Sequence, residues 1–232
     1  MQKTEMLRLI KKPLDICVSR LYNTDIIPVR DGDLLMDLLE QRIMSEGRVI
    51  GKDILKVDMF LNHRIDPVLT DAMGAEFRRI FADKDITLVL TVEASGIPAA
   101  VACAREFGVP CLFAKKGRNR NVGPDVYSSE VFSFTKGETY IMTVAKAYLT
   151  SAARVLIIDD FIAEGAASTG LLDIIGQAGA SCEGIGIIIE KAFQSGGAKL
   201  RAEGYDVRSL AVIEEMSEVP GGAPVIRFRH GC

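Results

Sequence analysis

The chain has 232 residues, 48 % hydrophobic and 25 % charged, and 28 Lys+Arg against 31 Asp+Glu leave a formal net charge of −3. That composition suits a soluble α/β domain with a sizeable core, and the charge gives no reason to expect a nucleic-acid or anionic-membrane partner. No apolar run approaches the roughly 18–20 residues of a bilayer span. Lys3, Arg8, Lys11 and Lys12, followed by Pro13, leave no room for the apolar segment of a secretion signal. Five scattered cysteines, none at CxxC spacing, and only two histidines make a structural zinc site unexpected and fit a reduced, cytoplasmic setting.

Residues 1–35 show no sustained period and read as an extension outside the domain. A helix is expected over Leu34–Ser45, with Leu35, Leu38, Leu39 and Ile43 on one face and Gly47 as its stop. A short extended stretch, Arg48–Ile50, leads through Gly51 to Ile54–Leu61. Asp66-Pro67 reads as N-cap and first turn of a helix carrying Leu69, Met73, Phe77 and Ile80. Strand Ile86–Val92, loop Glu93–Gly96, a helix from Pro98 and strand Cys111–Ala114 form a β-loop-α-β unit, the mark of a parallel sheet. Lys115–Asp125 is a polar, basic loop. Val131–Thr135 and Tyr140–Val144 read as a hairpin around Lys136-Gly137. Strand Arg154–Ile158 precedes a helix with Leu171, Ile174, Ile175 and Ala178. Gly184–Glu190 is apolar enough for an interior strand. Gly196-Gly197 leads an amphipathic helix, and Leu210–Ile213 and Val225–Phe228 close the chain as strands.

The informative stretch is Val155-Leu156-Ile157-Ile158-Asp159-Asp160-Phe161-Ile162-Ala163-Glu164-Gly165-Ala166-Ala167. A buried strand ends in two acids, at the edge where open α/β sheets bind ligands. A glycine-containing loop then opens a helix, whose N–H groups and dipole favour an anion. The ingredients suit a ligand with a phosphate at one end and hydroxyls or a metal beside it. Other short motifs carry less. Gly184-Ile185-Gly186 lies inside a strand, Ser133–Lys136 is an isolated S-x-x-K, and no GxxxxGK[ST] occurs.

The acid-pair segment resembles the phosphoribosyl-pyrophosphate (PRPP) motif of the type I phosphoribosyltransferases. The likeness widens to the xanthine branch of that family through Leu55–Asp58, Phe60–His63, Ile65–Pro67, Glu93–Ile97, Ser133–Lys136 and Ile189–Gln194. It spans about residues 36–230, and family members usually begin near Met36. The domain is therefore set at 36–232, with hood segments at both ends. The fold implied is α/β: a mainly parallel, twisted sheet flanked by helices, with a small hood.

Roles follow from the resemblance. Ala163, Glu164, Gly165, Ala166 and Ala167 would cradle the 5′-phosphate of PRPP. Asp159 and Asp160 would face the ribose hydroxyls and, through water, Mg²⁺. Glu93, Ala94, Ser95 and Gly96 would form the pyrophosphate loop, with Lys116 neutralising pyrophosphate. Tyr127–Thr135 would belong to a lid. Lys191 would recognise the base: an ammonium only donates, so it suits the 6-oxo group of xanthine, guanine or hypoxanthine and not the 6-amino group of adenine. Asn62 would meet the base from the hood, Leu55 would pack near it and Phe161 would form a wall. The resemblance implies transfer of the phosphoribosyl group from PRPP to xanthine, with guanine and hypoxanthine as secondary substrates, in a homodimer.

Departures from the family pattern are specific. Glu164 puts a negative charge where the xanthine branch is expected to have Asn, unfavourable unless its side chain points away. Ala163 replaces the acid of the hypoxanthine-guanine branch. The competing readings are a catalytically weakened paralogue and a PRPP-sensing repressor. A repressor needs a winged-helix domain roughly twice the length of residues 1–35. That stretch is near charge balance, with six Lys/Arg against five Asp/Glu.

Overall fold

The computed structural model describes residues 32–117, 125–133, 137–219 and 224–229. Residues 1–31, and with them most of the expected extension, lie outside the described residues, as do 118–124 of the basic loop and 134–136 of the hairpin turn. Every described element belongs to the unit Asp31–Cys232.

Helix α1 (Gly32–Glu46) buries Leu35, Leu39 and Ile43, the stripe its spacing predicts. Strands β1 (Arg48–Ile50) and β2 (Ile54–Lys56) pair antiparallel, Arg48 opposite Lys56. The expected continuation of β2 to Leu61 is not found. Asp58–Asn62 coils into a π-helical turn that buries Phe60 and Leu61. Helix α2 (Pro67–Ile80) starts where Asp66 Oδ1 accepts from Val68 N at 3.1 Å and Leu69 N at 3.2 Å. The other oxygen of Asp66 takes Arg42 Nη1 at 3.0 Å, and the Arg42 guanidinium lies 5.2 Å from the Phe60 ring centroid. One carboxylate thus caps α2 and ties it to α1 and the hood turn. The hairpin tip is fastened at the far end of the chain: Gly51 N donates to Glu218 Oε2 at 2.8 Å.

The main sheet has eight strands in the order β10-β9-β8-β7-β3-β4-β6-β5. Its members are β3 (Leu88–Val92), β4 (Cys111–Lys116), β5 (Val126–Ser133), β6 (Glu138–Ala145), β7 (Arg154–Ile162), β8 (Ser181–Lys191), β9 (Val207–Ser217) and β10 (Val225–Phe228). The run from β9 to β4 is parallel; β10, β6 and β5 are antiparallel additions at the two sides. Helices α3 (Ile97–Phe107), α4 (Ala166–Ala178) and α5 (Gly196–Ala202) make the crossovers. One core cluster joins the inner positions of β7 and β8 to Leu171 and Ile174 of α4. The glycines of Gly184-Ile185-Gly186 serve packing: a Cβ at Gly186 would lie 2.7 Å from a Phe77 ring atom, and one at Gly184 2.5 Å from Phe81.

Several strands outrun their expected limits, each because a neighbour runs beside them. β7 continues through both acids to Ile162, since Asp159, Phe161 and Ile162 pair with Ile187, Ile189 and Glu190. β4 continues through Lys116 because Lys115 and Lys116 pair with Thr143 and Met142. The hairpin is longer than expected, from Val126↔Ala145 to Ser133↔Glu138. Helix α5 begins at Gly196 instead of after the glycine pair. Of the segment Tyr127–Thr135 expected to form a lid, the described part, Tyr127–Ser133, is a paired strand fastened to α4, with Gln177 Nε2 donating to Ser128 O at 2.8 Å. No helix among the described residues is long and apolar enough to cross a membrane.

Candidate functional site

The site is built at the C-terminal ends of β3, β4, β7 and β8. At the end of β3 the chain turns through Glu93–Gly96 before α3 starts. Its first residue is held from β4: Glu93 N donates to Ala114 O at 3.0 Å, and Lys116 N donates to Glu93 Oε1 at 2.7 Å. The Glu93–Ala94 peptide is cis. The loop closes tightly over β7, for a Cβ at Gly96 would fall 2.2 Å from Thr91 Oγ1 and 2.9 Å from Asp159 Oδ1. Thr91 Oγ1 is buried there without a hydrogen-bond partner.

Asp159 and Asp160 are 4 % and 7 % exposed. Asp160 N donates to Asp159 Oδ1 at 3.0 Å. Burial, then the adjacent Asp160 carboxylate, pushes the Asp159 carboxyl well above the usual carboxylate range, and the Lys116 charge opposes this weakly. Tyr140, on β6, completes this group. Burial, then the charge of Asp159, raises its phenol, and Lys116 Nζ sits 5.3 Å from its ring centroid. The expected site residues Glu93, Gly96, Lys116, Asp159 and Asp160 therefore share one sheet edge, joined by Thr91 and Tyr140.

Beyond β7 the chain passes Ala163-Glu164 to Gly165, which takes the left-handed φ of 79° and opens α4. No side chain caps this helix, so the N–H groups of its first turn, including those of Ala166 and Ala167, are not engaged by a capping side chain. An uncapped helix start beside a tight loop can serve as an anion cradle made of main chain. The Glu164 side chain does not turn into it: Glu164 Oε2 accepts from Ser195 Oγ at 2.6 Å.

The other half of the site lies at the end of β8. Lys191 Nζ stands 5.5 Å from the Phe161 ring centroid and donates to the backbone carbonyl of Asp53 in the β1–β2 turn. Burial lowers the Lys191 amine, an effect the Asp53 charge opposes. Lys191, Phe161 and the hairpin carrying buried Leu55 are thus brought together. Asn62 ends the hood turn with its Oδ1 buried and without a partner, and the hydrogen bond of Lys191 goes to Asp53 and not to it. Among the described residues, no three His, Cys, Asp or Glu side chains converge as a metal cluster.

Sequence reasoning missed Tyr140, Thr91, Ser195 and the Asp53 carbonyl. The alternation of β6 places Tyr140 on the face of Met142 and Val144, a usable signal. Thr91 is a lone hydroxyl in the apolar strand β3, while Ser195 and the Asp53 carbonyl lie in loops and carry no pattern of their own.

No family model matches the chain. It is 57 % identical over 181 residues to the xanthine phosphoribosyltransferase of Ruminiclostridium cellulolyticum, over 78 % of this chain and 95 % of that one. The xanthine phosphoribosyltransferase of Bifidobacterium longum is 52 % identical over 196 residues, 84 % of this chain and all (100 %) of that one. Among solved structures, the adenine phosphoribosyltransferase of Trypanosoma brucei in complex with AMP, pyrophosphate and ribose-5-phosphate superposes with a TM-score of 0.62 at 19 % identity. That match covers 77 % of this chain and 78 % of the other, and it bears on the fold.

Proposed function

The chain belongs to the xanthine phosphoribosyltransferase family, and from that membership and the site geometry we propose that it transfers the 5-phosphoribosyl group of PRPP to xanthine in purine salvage. The products are xanthosine 5′-monophosphate and pyrophosphate. The observation that carries the reading is a juxtaposition on neighbouring strands. β7 holds the buried acid pair and leads into the main-chain anion cradle, while β8 ends in a lysine ammonium over an aromatic ring.

In this reading, Ala163–Ala167 bind the 5′-phosphate through backbone N–H groups. Asp159 and Asp160 accept from the ribose hydroxyls. Glu93–Gly96 and Lys116 bind the pyrophosphate. Lys191 donates to the purine 6-oxo group, Phe161 covers the ring face, and Leu55 and Asn62 approach from the hood. The Asn62 amide carries two donors for the 2-oxo group and an unpartnered Oδ1 for a ring N–H. A purine ring nitrogen bonds to ribose C1 as the bond from C1 to the pyrophosphate oxygen breaks and the ring N–H proton leaves with the pyrophosphate, with inversion and an oxocarbenium-like transition state. The protein positions the two reactants and excludes water.

The buried carboxylates of Asp159 and Asp160 are hard oxygen donors of the kind Mg²⁺ prefers. Asp159 and Asp160 would hold it through water, and its chemistry there is to neutralise the pyrophosphate leaving group. We extend the reading to a cytoplasmic homodimer: the free thiols of Cys103, Cys111 and Cys182 support the reducing compartment, and the family likeness alone supports the dimer. A repressor or weakened paralogue is the less favoured reading, because the relatives named as transferases are matched over nearly their whole length. The test is product identification: PRPP, Mg²⁺ and xanthine should give xanthosine 5′-monophosphate and equimolar pyrophosphate, and formation of neither would refute the reading.

A further inference from the structure

A carboxylate inside an anion cradle is a liability, and Glu164 belongs to the loop that forms this one. Its Oε2 is instead engaged by Ser195 Oγ at 2.6 Å, across from the loop between β8 and α5. The backbone repeats that fastening independently. Gly196 N donates to Ala163 O at 2.9 Å. A Cβ at Gly196 would lie 2.4 Å from Gly165 N and 2.5 Å from Ala163 O, so only glycine permits the approach. Helix α5 is in turn anchored to the sheet, with Arg201 Nη1 and Nη2 donating to Glu190 at 2.7 and 2.6 Å and Ser209 Oγ donating to the same carboxylate.

We propose that Ser195 is a positioning residue for PRPP binding: its hydroxyl holds the Glu164 carboxylate off the anion cradle. The proposal rests on the reading of Ala163–Ala167 as the phosphate loop. A hydrogen bond from a hydroxyl to an ionised carboxylate is charge-assisted and directional, so it fixes a long side chain that would otherwise sample the space above the helix start. Because the Gly196–Ala163 bond is main chain, removing the Ser195 hydroxyl leaves the loop docked and frees Glu164 alone. The device also explains how a chain with Glu at this position keeps a usable phosphate site.

The experiment is a double-mutant cycle read by calorimetric PRPP binding with Mg²⁺ and by steady-state kinetics, on the full chain carrying S195A, E164A or both. With Glu164 present, S195A should weaken PRPP binding about fivefold and raise the KM for PRPP alike, leaving the KM for xanthine unmoved. S195T should restore binding. In the E164A background the same S195A change should have no effect on PRPP affinity. An equal loss in both backgrounds, or no loss with Glu164 present, overturns the proposal. Wild-type protein that binds no PRPP overturns the functional reading beneath it.

Discussion

The proposed phosphate end of the site is made of main chain, and the proposed purine end is made of side chains. At the phosphate end, one short segment supplies a left-handed glycine, an uncapped helix start and no hydroxyl at Glu164 or Ala167. At the purine end, Asp53, Leu55, Asn62, Phe161 and Lys191 arrive from the hood and from two strands. Backbone N–H groups recognise any phosphate of the right shape. A lysine ammonium over a ring discriminates between a carbonyl and an amine. The two ends therefore fail in different ways, which makes the comparison breakable by mutation.

The largest effect should come from Gly196→Val. Its side chain would intrude on Gly165 N and Ala163 O and push the phosphate loop off α5. Overpacking of this kind costs about 1–3 kcal/mol, so PRPP affinity should fall up to roughly 100-fold. The comparison predicts that xanthine recognition, read as its KM at saturating PRPP, stays near wild type. Next is Lys191→Ala, which removes a charged donor worth about 1.5–3 kcal/mol. The kcat/KM for xanthine should drop roughly 10- to 100-fold while PRPP binding, measured by calorimetry, changes little. Equal loss of both would remove Lys191 from the base pocket.

The phosphate end was the more legible in sequence, and for a local reason. The apolar run, the acids, Gly165 and the helix start are consecutive, so each constraint acts on its neighbour. Asp66-Pro67 was readable on the same ground, as a cap and first turn within four residues of chain. The purine end had no such signal beyond family likeness, because Lys191 and Asp53 meet through a backbone carbonyl 138 positions away. Strand limits were misjudged where a partner sets them: β7 carries both acids inside its ladder only because β8 runs on to Lys191 beside it. Ser195 and Glu164, 31 positions apart, are joined by tertiary docking that no local pattern encodes.

Smallest among the mutational effects, and shared by both ends, should be that of Glu190→Gln. Glu190 and Lys191 are consecutive on β8, so they point to opposite faces: one to Arg201 of α5, the other to Phe161 and the Asp53 carbonyl. Glu190 is 3 % exposed, and burial alone would raise its carboxyl. The hydrogen bonds from Arg201 and Ser209 more than reverse this, leaving it below the usual carboxylate range. Breaking the pair should cost about 1–2 kcal/mol, less than for a fully buried pair because the Arg201 side chain is partly exposed to solvent. A depressed folded-state carboxyl contributes stability that is present above the unfolded value, about 4.3, and is lost as pH falls through the folded one. Denaturant midpoints should therefore separate wild type from Glu190→Gln at pH 7 and converge in acid. A gap that stays constant down to pH 3 would contradict the ion-pair assignment.

The central claim, that a main-chain phosphate cradle is coupled to a lysine that reads a 6-oxopurine, is tested most directly by pyrophosphate release. The protein, PRPP and Mg²⁺ would be given xanthine, guanine, hypoxanthine or adenine in parallel. The account predicts turnover of xanthine above guanine and hypoxanthine, and none of adenine. Turnover of adenine, or silence with all four bases, would contradict it.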